Sequence, residues 1–217
     1  MDSEQPTTAR GSAPLRADAR RNRDRIIAAA AQAFAVRGPD LPVEEIARAA
    51  GVGIGTVYRR FPDRDALIRA VAQETVRSAM AHARAAVIEE PTAWAALERF
   101  LRQSHEVRLA VRLVIDSPGA RAAMEDDPEI YELRRVMLDV LDRIVHAAQA
   151  EGSLRADVGT GDVAAAFLLL VRPLIVPEAD TAASALERCL GVLLDGLRAS
   201  AATSLPGEAL ARTALEH

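Results

Sequence analysis

Thr56, Tyr58, Arg59 and Arg60 lie within one five-residue stretch and combine a hydroxyl, a phenol and two guanidinium groups. Guanidinium forks match phosphate oxygens and the acceptor edge of guanine, and hydroxyls add contacts to a sugar-phosphate backbone. The chemistry to which this set is suited is therefore nucleic-acid contact. The plainer alternatives are solvated charges for the arginines and a core position for Tyr58. Apolar Val57 beside it favours an outward Tyr58, and two adjacent arginines at a helix end favour phosphate contact. The rest of the chain offers little competing chemistry. His82, His105 and His146 show no metal-ligand spacing with cysteine or carboxylate clusters. There is no nucleophile–base pairing and no glycine-rich phosphate loop. No catalytic residue, metal or cofactor is expected.

The elements that must position these four residues are two short helices and a turn. Glu44–Ala50 carries Ile46, Ala47 and Ala50 on one side, Gly51-Val52-Gly53 interrupts it, and Thr56–Phe61 follows. Two such helices joined by a three-residue turn make a helix-turn-helix, whose second helix enters a major groove. A preceding helix over Ala17–Val36 carries a buried stripe of Ile26, Ala29, Ala30, Ala33 and Phe34. Arg16, Arg20, Arg21, Arg23 and Arg25 crowd its start, against the helix dipole. They read either as a solvated face or, for Arg16 and Arg20 above all, as groups lying along phosphates.

Alanine and leucine dominate the 217 residues, only 3% are aromatic, and strand-like runs are absent, so the chain is expected to be all-α. Every basic residue is arginine. Residues 1–70 hold 12 arginines against 9 acids, and the remainder 15 against 22, giving the overall charge of −4. A mildly basic head on an acidic body fits a nucleic-acid-binding unit joined to a part that does not bind it. One cysteine, Cys189, gives no reason to expect secretion, and no apolar run reaches the length of a membrane span. A cytoplasmic protein is expected.

Helix signals continue through the body. Asp63 caps a long helix to Ile88 that links head and body, and Thr92 caps one reaching about Glu106. Apolar residues concentrate over Val107–Ile115, and Ser117-Pro118 opens a turn through Met124. Asp127-Pro128-Glu129 starts a helix to Ala150. Thr160 is the expected cap of a helix apolar on nearly all sides through Val171, stopped by Pro173 and Pro177. The last helix spans Thr181–Ser200, with Leu186, Leu190, Leu193 and Leu197 at coiled-coil-like spacing. The layout is about nine helices in four parts. Residues 1–15 form a disordered arm, 16–62 a helix-turn-helix unit, and 63–200 a helical body. Residues 201–217 form a tail in which Leu215-Glu216-His217 resemble the remnant of a cloned tag.

The segments RDRIIAAAAQAFAVRG and VEEIARAAGVGIGTVYRRFPDRDALIRAV resemble the N-terminal domain of TetR/AcrR-type transcriptional regulators, over about Arg20–Val71. The resemblance rests on helix lengths, the turn glycine, the Gly-Thr-Val-Tyr step and the Phe-Pro before a capped helix. It implies a homodimer that binds palindromic double-stranded operator DNA, most often as a repressor, and releases it when a small effector occupies the C-terminal body. By the same resemblance Ile54, Gly55 and Tyr58 face base edges; Thr56, Arg59, Arg60 and Arg64 mostly hold phosphates; Val57 and Phe61 are core. Arg20 is expected on the phosphates from its place near the helix-turn-helix. Two positions depart from the family pattern. Pro42 stands where Ser or Thr is common, which removes a hydroxyl–phosphate contact. Gly53 replaces a frequent Ser, which weakens the recognition-helix cap by a few tenths of a kcal/mol.

In the body, His105, Arg108 and Arg112 lie about one helical turn apart and are candidates to line an effector pocket with Trp94, Tyr131 and Met137. Each also reads as polar face or core. The helices Thr160–Val171 and Thr181–Ser200 of two subunits are expected to form a four-helix interface around Phe167, Leu186, Leu190, Leu193 and Leu197. Cys189 is expected to be buried there and inert. The competing functional classes are a helical adaptor without a DNA role and an enzyme.

Overall fold

The computed structural model describes residues 12–103, 107–109, 111, 113, 121–122, 127–172, 179–200 and 203–215. The elements are α1 (Ser12–Arg37), α2 (Val43–Ala49), α3 (Ile54–Arg60), α4 (Arg64–Glu89), α5 (Ala93–Arg102), α6 (Pro128–Ala150), α7 (Thr160–Leu170), α8 (Ala179–Leu197) and a 3-10 turn at Arg212–Leu215. No strand occurs among the described residues, and the all-α expectation holds. Between α5 and α6, residues 107–109, 111, 113 and 121–122 are also helical. The apolar run Val107–Ile115 is thus described only in part. Arg16's side chain, the turn expected over Ser117–Met124, Pro173 and Pro177 lie almost wholly outside the described residues.

Start signals act where a side chain reaches a free backbone N–H. Asp63 accepts from Ala66 N at 2.7 Å, Thr92 from Ala95 N at 3.1 Å, and Asp127 from Glu129 N at 2.9 Å. Two expected starts fall elsewhere. α1 begins at Ser12, inside the segment expected to be an arm, of which Met1–Gly11 lie outside the described residues. The cap of α7 is Gly159 rather than Thr160. Thr160 Oγ1 instead donates to Asp142 on α6 at 2.6 Å, and Asp162 accepts the Gly159 N–H at 2.8 Å.

Two apolar cores result. The head core joins Ile26, Ala30 and Phe34 of α1, Ile46 of α2, Val57 of α3 and Leu67, Ile68 and Val71 of α4. The body core joins Ala83 and Ala86 of α4, Trp94 and Leu97 of α5, Leu141 and Ile144 of α6, Phe167 of α7 and Leu190 and Leu194 of α8. α4 therefore belongs to both. Polar contacts fix its middle to the start of α6: Gln73 donates to Asp127 at 3.0 Å, and Arg77 pairs with Glu74 at 2.9 Å and with Glu129. The hydrogen bond to Glu129, first of its causes, raises the Arg77 pKa.

Candidate nucleic-acid interface

The recognition helix is held from behind. Gly51 turns the chain at φ +64°, a left-handed conformation that favours glycine. Gly53 then starts α3 in an extended conformation, without a side-chain cap. Val57 and Phe61 are buried beneath α3, as expected. One further support was not separable from its neighbours in the sequence. Arg25, grouped above with arginines facing solvent or phosphate, donates to Ala50 O at 2.8 Å and Gly51 O at 3.1 Å. It ties α1 to the turn, and a charged donor there satisfies carbonyls that end α2. Arg23 lies over the Phe61 ring at 5.9 Å, and Arg21 pairs with Asp18. Arg37 pairs with Glu45, and that hydrogen bond holds the Glu45 carboxyl below its ordinary pKa.

With these arginines engaged, the outward surface is narrow. Ile54 is 38% and Tyr58 47% exposed, and Gly55, Arg59 and Arg60 are exposed beside them. Thr56 is half-buried and Arg20 is exposed on α1. Arg64 is half-buried at the start of α4, where its Nη2 is enclosed without a partner. Pro42 is the residue before α2 and gives it no side-chain cap.

Among the described residues, those expected in a pocket sit in different surroundings. A cleft between α4 and α5 is lined by Ala79, His82, Ala83, Arg99, Phe100, Gln103 and Val107, and the expected residues that are described, Trp94, Arg108, Tyr131 and Met137, are not among them. Trp94 is buried in the body core under Arg198, whose guanidinium lies 3.8 Å from the ring centroid. Tyr131 is exposed, Met137 packs against the body core and Arg108 is half-buried. His105 and Arg112 lie outside the described residues. The i, i+3, i+4 spacing places groups on one helix face but does not choose the helix opposite.

The interface residues divide the same way. Phe167, Leu190 and Leu197, expected at a partner contact, are buried in the core of their own chain. Leu186 and Leu193 are half-buried. The outward apolar residues are Leu168 (39% exposed) and Leu169 (67%) on α7 and Val192 (73%) on α8; Cys189, expected to be buried, is exposed near Val192. The leucine stripe of α8 was read as one surface, but α8 packs on α5 and α7 along one flank and leaves a second flank outward.

Comparison with known proteins decides the family. The model for bacterial regulatory proteins of the tetR family matches residues 26–71, and that for the SbtR-like transcriptional regulator C-terminal domain matches residues 91–199. The chain belongs to the TetR family of transcriptional regulators. A TetR regulator from Mycobacterium vanbaalenii is 36% identical, covering 85% of this chain and 99% of its own, with a TM-score of 0.57. A TetR regulator from Streptomyces coelicolor is 31% identical, covering 81% and 98%, with a TM-score of 0.61. The TetR-like regulator LfrR from Mycobacterium smegmatis, solved in complex with proflavine, shares the fold at 24% identity, covering 86% and 99%, with a TM-score of 0.56. No curated protein matches. The TetR chain is thus a DNA-binding transcriptional regulator and not an enzyme. No helix among its described residues is long and apolar enough to cross a membrane.

Proposed function

We propose that this regulator is a cytoplasmic homodimeric repressor that sets α3 of each subunit into a major groove of a palindromic operator and leaves it when a small molecule occupies the body. The observation that carries this reading is the outward set Ile54, Gly55, Tyr58, Arg59 and Arg60 above buried Val57 and Phe61. Ile54 and Gly55 offer close apolar approach to base edges, and Tyr58 adds a hydroxyl. Thr56, Arg59, Arg60, Arg64 and Arg20 supply phosphate contacts. Leu168, Leu169 and Val192, on adjacent helices, supply an apolar face for the second copy.

The cleft beside α4 is the proposed effector entrance. It places Phe100 with His82 and Gln103, while Arg99 is held by Glu89 at 2.8 Å and Glu90 at 2.9 Å. Small-molecule occupancy is compatible with this fold, since LfrR was solved with proflavine. A ligand there would act on α4, and it shifts the equilibrium only by its differential affinity for the two arrangements of the dimer.

The test is binding to duplexes selected from a random pool, titrated with salt. Arg60→Ala should weaken binding to all sequences alike and lower the salt slope by about one; an unchanged slope would take Arg60 off the phosphates. In sedimentation, Leu169→Glu should yield monomers with much reduced operator affinity. A persistent dimer would overturn the pairing of α7 and α8.

A further inference from the structure

The segment after α8 does not leave the body. Thr203–Leu215 runs back across the start of α7 and reaches α6. The Gly161 N–H donates to Leu210 O at 2.9 Å, and the Leu210 N–H donates to Asp162 Oδ2 at 3.1 Å. That same oxygen accepts the Gly159 N–H at 2.8 Å, so one carboxylate joins the helix start to the returning chain. Upstream, the Leu205 N–H donates to Asp157 Oδ2 at 3.1 Å, and Arg155 donates to Thr203 O while forking onto Asp157. Arg155 and then the Leu205 amide hold the Asp157 carboxyl below the usual range. Downstream, Arg212 pairs with Asp139 of α6, and Leu215 packs against the body core. A segment expected to be a loose tail is therefore bonded at both flanks.

Two glycines make this approach sterically open. A Cβ on Gly159 would stand 2.2 Å from Leu210 O, and one on Gly161 would stand 2.5 Å from Ala211 O and 2.6 Å from Leu210 O. Neither glycine has a positive φ among the described residues; backbone conformation does not require them. What requires them is the crossing chain. Glycine within a helix is disfavoured relative to alanine, so at Gly161 the helix gives up propensity for contact with the segment.

We infer that Thr203–Leu215 is a strap that clamps the start of α7 to α6 and so sets the angle at which Leu168 and Leu169, two turns further on, meet a second copy of the chain. The inference rests on the pairing of α7 and α8 proposed above. The strap crosses only the start of α7 and leaves the outward leucines uncovered. Its hydrogen bonds engage mostly backbone, so its hold depends on close approach more than on side-chain identity.

The experiment uses the full chain. Gly161→Ala should lower Tm by several degrees and speed hydrogen exchange at the Leu210 amide at least tenfold. Gly191→Ala, in α8 where an added Cβ meets nothing within 4 Å, should raise Tm. Arg212→Ala, which leaves the glycine crossing intact, should speed exchange at Leu210 by a smaller factor and keeps the test open should Gly161→Ala not fold. Sedimentation should show a higher dimer Kd for Gly161→Ala and Arg212→Ala. A Tm raised by Gly161→Ala as by Gly191→Ala, or unchanged Leu210 exchange in Arg212→Ala, would overturn the strap. Faster exchange with an unchanged dimer Kd, while Leu169→Glu still dissociates the dimer, would overturn the strap's control of the interface and leave the pairing intact. A dimer that survives Leu169→Glu would overturn the pairing itself.

Discussion

The head and the body leave different things unburied. On the head, Ile54 and Tyr58 stand out beside Arg59 and Arg60, so apolar, hydroxyl and cationic groups alternate along one short helix. On the body, Leu168, Leu169 and Val192 stand out on two adjacent helices. A mixed surface suits a partner that itself mixes charge, hydrogen-bonding edges and methyl groups, as a DNA groove does. A surface with large apolar residues on neighbouring helices suits one that presents the same residues back, as a second copy does. The difference teaches that binding character is set by what the cores fail to cover. α4 joins the two regions by lending Leu67, Ile68 and Val71 to one core and Ala83 and Ala86 to the other.

The largest expected effect tests whether these regions are two units or one. Phe34 is fully buried in the head core. Phe34→Ala removes the whole phenyl ring and leaves a cavity, with an expected cost of about 3–5 kcal/mol. Because α4 is shared, denaturant unfolding should remain a single transition at a lower midpoint. A separate early transition of the head, read by hydrogen exchange in α2 and α3, would break the comparison: α4 would then fray between two independent cores.

The two regions also differ in how far their sequence discloses them. In the head, Ile26, Ala30, Phe34 and Ile46 are legible from spacing because their helices have one apolar side and one nearby neighbour to receive it, while Val57 and Phe61 are legible through the family resemblance. In the body each helix carries more apolar surface than one neighbour can take. Spacing marks Phe167, Leu190 and Leu197 as apolar but does not say whether their own chain or a partner covers them; their own chain does. The cleft at His82 and Phe100 was hidden for the same reason, since it needs the relative placement of α4 and α5. The return of Thr203–Leu215 had even less signal. Its contacts run largely through backbone, and only two glycines, Gly159 and Gly161, mark where it crosses. Capping was readable at Asp63, Thr92 and Asp127, which act within three residues of themselves, but not at Thr160, whose hydroxyl goes to Asp142 on another helix.

An intermediate effect separates support from contact within the head. Arg25 and Arg60 are both arginines near the proposed DNA face, yet Arg25 is engaged with Ala50 and Gly51 carbonyls. Arg25→Ala should cost about 1–3 kcal/mol of stability, as expected when carbonyls lose a charged donor. Operator affinity should fall because the α2–α3 angle loosens, but the salt slope should stay at its parent value. A slope lowered by about one, as expected for Arg60→Ala, would mean that Arg25 holds a phosphate in the complex.

The smallest effect concerns the residue just before the contact face. Gly53 starts α3 at φ −71° and ψ 146°, a conformation open to any residue, and an added Cβ would meet nothing within 4 Å. Serine there could accept from the Gly55 or Thr56 N–H, where glycine offers no side-chain cap. Gly53→Ser should therefore stabilise the chain by a few tenths of a kcal/mol, near the limit of denaturant melts but visible as slower hydrogen exchange at Gly55 and Thr56. Operator affinity then separates two roles for the position. An affinity that rises in step with helix protection makes residue 53 a cap that preorganises α3. Unchanged exchange with tighter binding would instead place the new hydroxyl on the DNA, making residue 53 part of the contact face that now begins at Ile54.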